Sequence, residues 1–86
     1  MPDYRVAFTS SARKELERLP QPAARRIISA IVRLGADPRP HGVRKLQSAE
    51  DLWRVRVGEY RIIYSIDEAN CVVDVRVVRH RKDAYR

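Results

Sequence analysis

Cysteine is nearly absent from this chain. Cys71 stands alone among 86 residues, which excludes an internal disulfide and a zinc site built on thiolates, and fits a reducing compartment. His41 and His80 are the only histidines and lie far apart in the sequence, so no metal is expected. Three glycines are too few and too scattered for a Gly-rich phosphate loop, and no pair of carboxylates marks one face of an element. No apolar run approaches the roughly 20 residues that cross a membrane. The opening MPDYRVAF lacks the long apolar stretch of a signal peptide. Together these absences lead us to expect a cytoplasmic protein with no cofactor and no membrane contact.

Negative charge is also in deficit. Asp and Glu number 11 against 18 Lys and Arg, giving a net charge of +7 and an isoelectric point near 10.3. Only Lys14, Lys45 and Lys82 are lysines; every other cation is an arginine. A domain this basic is a candidate for binding nucleic acid if the charge clusters on one surface, and it also suits an acidic protein partner. Hydrophobic residues make up 44% of the chain, enough to fold, and 86 residues allow one small domain spanning 1–86.

Periodicity along the chain gives an order of elements. Residues 3–8 (DYRVAF) alternate like a strand. Thr9, Ser10 and Ser11 each suit a helix N-cap, and Ala12, Leu16 and Leu19 then fall on one helical face. Pro20 and Pro22 end that helix, and Pro22 suits the first turn of the next. Residues 22–34 carry Ala24, Ile27, Ile28, Ile31 and Leu34 at helical spacing, with Gly35 as the expected C-cap. The loop ADPRPHG leads to a short strand at 43–46, and strands follow at 52–57, 60–66 and 72–78. The order β-α-α-β-β-β-β predicts an α+β domain: two antiparallel helices on one face of an antiparallel sheet of four to five strands.

The stretch WRVRVGEYRIIY at 53–64 carries the most specific signal. Gly58-Glu59 reads as a two-residue turn, with Gly at the first central position as a type II′ turn prefers. That turn sets Val57 opposite Tyr60, Arg56 opposite Arg61, Val55 opposite Ile62 and Trp53 opposite Tyr64. Side chains alternate between faces. Trp53, Val55, Val57, Tyr60, Ile62 and Tyr64 therefore form an apolar face. Arg54, Arg56, Arg61 and Ile63 occupy the other, where directly opposed arginines repel. Asp74 on the next strand is one available counter-charge. An anionic ligand is another, and the planar guanidinium suits phosphate.

The element order, this hairpin and the ending VVRHRKDAYR together resemble the RelE/ParE superfamily of bacterial toxins, and more closely its RelE branch. The resemblance covers nearly the whole chain, including the RKELERLP helix end and the Lys45-Leu46 pair. It implies the toxin of a type II toxin–antitoxin system: a ribosome-dependent, metal-independent endoribonuclease that cuts mRNA and inhibits translation. It also implies a small antitoxin, expected here to be acidic, and a toxin–antitoxin hetero-oligomer.

Site residues follow from the resemblance position by position. The basic pair on the strand before the turn matches Arg54 and Arg56, and the arginine after it matches Arg61. The arginine at the end of the last strand matches Arg81, and the near-terminal tyrosine matches Tyr85. Lys45, Arg76, Arg79 and Lys82 are expected to contact RNA. Lysines often stand in the family where this chain has Arg54 and Arg56. An arginine does not give up its proton, so these two are expected to hold phosphate rather than act as bases. The base then falls to His80, Tyr85 or a group of the ribosomal RNA. The same fold also serves ParE-like proteins that poison DNA gyrase without nuclease activity, and the arginine substitutions leave open a weakly active partner protein.

Overall fold

The computed structural model describes residues 3–46 and 51–82. Strand β1 spans Arg5–Phe8, helix α1 Ser10–Glu17, helix α2 Gln21–Ala36, and strands β2 to β5 span Arg44–Lys45, Leu52–Val57, Tyr60–Asp67 and Val72–His80. The strands form one sheet in the order β1-β5-β4-β3-β2. The α+β class and the sequence of elements are those expected. The sheet, however, is mixed: β1 runs parallel to β5, whereas the other three neighbours are antiparallel. The first strand pairs with the last, and the two helices carry the chain from that edge to the opposite one. A parallel pair needs such a crossover, which short-range alternation cannot reveal.

Among the three capping candidates the helix uses Thr9. Its Oγ1 accepts the Ala12 N–H at 3.1 Å and donates to the Arg76 carbonyl at 3.2 Å, tying the start of α1 to β5. Helix α2 has Pro22 in its first turn, as expected. Its C-cap is Asp37, not Gly35. Gly35 is buried inside the helix, and its carbonyl accepts the Tyr4 N–H at 2.7 Å. A Cβ there would sit 3.1 Å from the Tyr4 carbonyl oxygen, so the glycine permits close approach of β1.

The core lies between helices and sheet. Ala12, Ile27, Ile31 and Leu34 from the helices meet Ile62, Tyr64, Val73, Val75 and Val78 from the sheet. Each helix packs mainly on strands, α1 on β5 and α2 on β1, β3 and β5, rather than on its fellow helix. Tyr64 is fully buried, and its hydroxyl donates to the Pro38 carbonyl at 2.6 Å. Burial pushes its pKa up to about 12 against the opposing pull of Arg39. In the β4–β5 turn, Asn70 donates side-chain and backbone hydrogen bonds to the Asp67 carboxylate and holds its pKa below the ordinary value.

Candidate nucleic-acid interface

The hairpin register is the one the sequence predicts: Val57 opposes Tyr60, Arg56 opposes Arg61, and Trp53 opposes Tyr64. Gly58 has φ +60°, which suits the first central position of the type II′ turn. Ile62 and Tyr64 are buried, and Trp53, Val55, Val57 and Tyr60 pack against the core, so the apolar face lies under the helices.

The opposite face extends the arginine row beyond the hairpin. Arg61 is flanked by Arg56 on β3 and Arg79 on β5, and Arg54 is flanked by Arg44 on β2. A β-bulge makes this possible on β5. Ile63 pairs with Val77 while Tyr64 pairs with Val75, leaving Arg76 as the extra residue. The bulge shifts the alternation by one position. Val73, Val75 and Val78 are all buried, and Arg79 turns to the arginine face. Strict alternation from Val73 puts Val78 outside and Arg79 inside, so the bulge decides which residues of the last strand reach the site.

Arg56, Arg61, Arg81 and Lys82 line one open cleft of about 300 Å³, together with Glu59 and Tyr60. The Arg81 N–H donates to the Glu59 carbonyl at 2.7 Å, so the hairpin turn pins the start of the C-terminal segment. Arg54 belongs to an adjoining cleft of about 470 Å³ that also contains His41, Arg44 and Arg56. Arg56 thus borders both. Guanidiniums gathered on a sheet face this way offer paired donors to phosphate oxygens.

The other expected residues are placed differently. Arg79 shares the row but pairs with Glu15 of α1 at 2.6 Å. The second Glu15 oxygen accepts the Val78 N–H at 3.1 Å, satisfying the edge of β5 beyond the end of β1. Arg76 lies toward the other end of the sheet, 3.2 Å from the Ser65 hydroxyl and 3.6 Å from Asp74. Asp74, one of the counter-charges the sequence offers, therefore pairs with Arg76. Lys45 stands with Arg76 in a separate cavity of about 780 Å³, its ammonium 5.8 Å from the Trp53 ring. Arg39 covers the same ring at 5.0 Å and pairs with Glu68.

His80 sits across from Tyr60, on the core side of the sheet. Its ring meets Tyr60 edge-on at 5.3 Å, its Nε2 lies 3.1 Å from Glu59 Oε2, and its Nδ1 accepts the Lys82 N–H at 3.3 Å. Tyr85 lies outside the described residues. Sequence reasoning did not single out Arg44, whose place opposite Arg54 follows from pairing 43–46 with 52–57, nor Glu59, which reads only as a turn residue. Among the described residues no group of three or more His, Cys, Asp or Glu side chains could hold a metal ion. No helix of the described residues is long and apolar enough to cross a membrane.

A basic cleft on the open face of a small helix-backed sheet defines a class, and comparison with known proteins places the chain in it. Residues 6–85 match the family model for the ParE toxin of type II toxin–antitoxin systems. Toxin RelG of Mycobacterium tuberculosis is 34% identical over 96% of this chain and 97% of its own length. Toxin RelE of the same organism is 33% identical over 96% of this chain and 87% of its own. Among solved structures, the archaeal RelE–RelB complex from Pyrococcus horikoshii is similar with a TM-score of 0.80 and 32% identity, covering 94% of this chain and 97% of that one. The RelBE2 toxin–antitoxin complex of Mycobacterium tuberculosis gives 0.80 and 29%, covering 92% and 99%. The chain belongs to the RelE/ParE family of type II toxin–antitoxin toxins.

Proposed function

We propose that this protein is the RelE-type toxin of a type II pair and cleaves mRNA on the ribosome. The observation that carries the reading is the convergence of Arg56, Arg61 and Arg81 in one cleft. These residues suit a phosphodiester whose 2′-OH attacks the adjacent phosphorus in line. The P–O5′ bond breaks, leaving a 2′,3′-cyclic phosphate and a 5′-OH. Charge grows on the non-bridging oxygens as the pentavalent state forms, and fixed guanidiniums stabilise it there. Arg54, with Arg44 beside it, extends the basic track along the RNA backbone. Relatives of this chain solved as RelE–RelB complexes support a cognate antitoxin as partner. The net charge of +7 favours an acidic antitoxin segment.

Induction in cells, with mapping of mRNA 5′ ends, tests this reading. The wild type should arrest growth and leave cuts in phase with codons. Arg61→Ala should lose about 100-fold or more of the cutting, the scale of removing one oxyanion donor. Growth arrest without such cuts sinks the proposal. A second reading is favoured by the matched family model, which is that of the ParE toxin: a DNA gyrase poison that cuts no RNA. Stalled gyrase and double-strand breaks produced by the purified protein would establish it instead.

A further inference from the structure

We propose that Glu59 is the proton acceptor of the arginine cleft and that His80 is its positioning residue; the inference rests on the RNA-cleavage reading above. In-line attack requires the 2′-OH to lose a proton. Among the described residues lining the cleft, the three arginines cannot take one. Lys82 brings an ammonium, which is a donor, and Tyr60 a phenol that carries its own O–H. Among these described residues Glu59 is the one carboxylate, and a carboxylate brings oxygens that accept.

The geometry around Glu59 is built beyond what a hairpin tip needs. His80 Nδ1 accepts the Lys82 N–H at 3.3 Å, which leaves Nε2 to carry the proton and donate it to Glu59 Oε2 at 3.1 Å. The Tyr60 ring stands nearly perpendicular to the imidazole, with centroids 5.3 Å apart, and packs against it. Arg81 N–H binds the Glu59 carbonyl at 2.7 Å. Side chain and backbone of one turn residue are thus both fastened to the segment that supplies Arg81 and Lys82. His80 holds one carboxylate oxygen, and a carboxylate has two. The remaining oxygen takes the 2′-OH proton as the O2′–P bond forms. The departing O5′ keeps the electron pair of the broken P–O5′ bond and takes a proton from the Lys82 ammonium. Glu59 ends protonated and Lys82 neutral, and exchange with water restores both.

Glu59→Gln separates the two roles of the carboxylate. The amide oxygen still accepts the His80 N–H but takes up no proton. On ribosomes programmed with mRNA, E59Q should cut about 100-fold or more slowly than wild type, the usual scale for a general base. Its ribosome affinity and thermal midpoint should be unchanged. E59A should be equally slow and should recover with added formate, a small carboxylate that enters the gap. Cutting by E59Q at the wild-type rate overturns the assignment, as does E59A that formate leaves unrestored. Arg61→Ala distinguishes the levels: R61A inactive with E59Q fully active removes Glu59 alone. A wild type that leaves the mRNA whole removes the RNA reading together with it.

Discussion

Tyr64 shows how much a single residue carries in a chain this short. It is the largest of the fully buried side chains, and its hydroxyl anchors the loop after α2 through Pro38. Tyr64→Phe leaves that carbonyl without its partner and should cost about 1–2 kcal/mol in thermal or urea unfolding. The pH dependence follows from the same burial. The folded pKa of about 12 exceeds the unfolded value near 10. The neutral hydroxyl is favoured by folding, so its contribution is complete below pH 10 and is lost as pH rises toward 12. The wild type should lose stability across that range, and Y64F should lose less. Arg54, Arg56 and Arg61 were legible as single residues because period-2 alternation and a Gly at the turn fix their face. Glu59 was not, because its partner His80 is 21 positions away and only the folded sheet brings them together.

At the level of elements, the hairpin was read in full from sequence and the last strand was not. Its bulge at Arg76 leaves no local mark, because Val-Val-Asp-Val-Arg-Val-Val reads as plain alternation with one slip. The parallel pairing of β1 with β5 joins residues more than 60 positions apart, beyond the reach of periodicity. Gly35 looked like a helix stop because glycine commonly is one; here β1 needs the space. Two substitutions test these elements. Gly58→Ala places a Cβ 2.8 Å from the Arg26 guanidinium and holds a non-glycine residue at φ +60°. It should lower stability by about 1 kcal/mol or more, with Arg26 swinging aside. Thr9→Ala removes the α1 cap and its tie to β5 and should cost about 1 kcal/mol by chemical denaturation.

Across the whole molecule, the sheet divides labour between its faces. The helix-covered face supplies the core, and the open face carries arginines from four strands, Arg44, Arg54 and Arg56, Arg61, and Arg79. A polyanion bound there releases counterions, so affinity must fall with salt. For single-stranded RNA, three phosphate contacts from Arg56, Arg61 and Arg81 predict a slope near −2 in log K against log salt, with about 0.7 lost per Arg→Ala. A slope unchanged in R56A would place RNA elsewhere. Net charge foretold a basic surface, and the hairpin foretold which face. The joining of Arg81 and Lys82 to that face depends on the turn hydrogen bond from Arg81 to Glu59, which is a tertiary contact. The most direct measurement of the central claim is incubation of the purified protein with mRNA, free and on programmed ribosomes, followed by end analysis of the products. Cutting is expected only on the ribosome, in phase with codons, with new 5′-OH ends that vanish in Arg61→Ala. Intact mRNA on the ribosome, or cutting that Arg61→Ala leaves untouched, would contradict it.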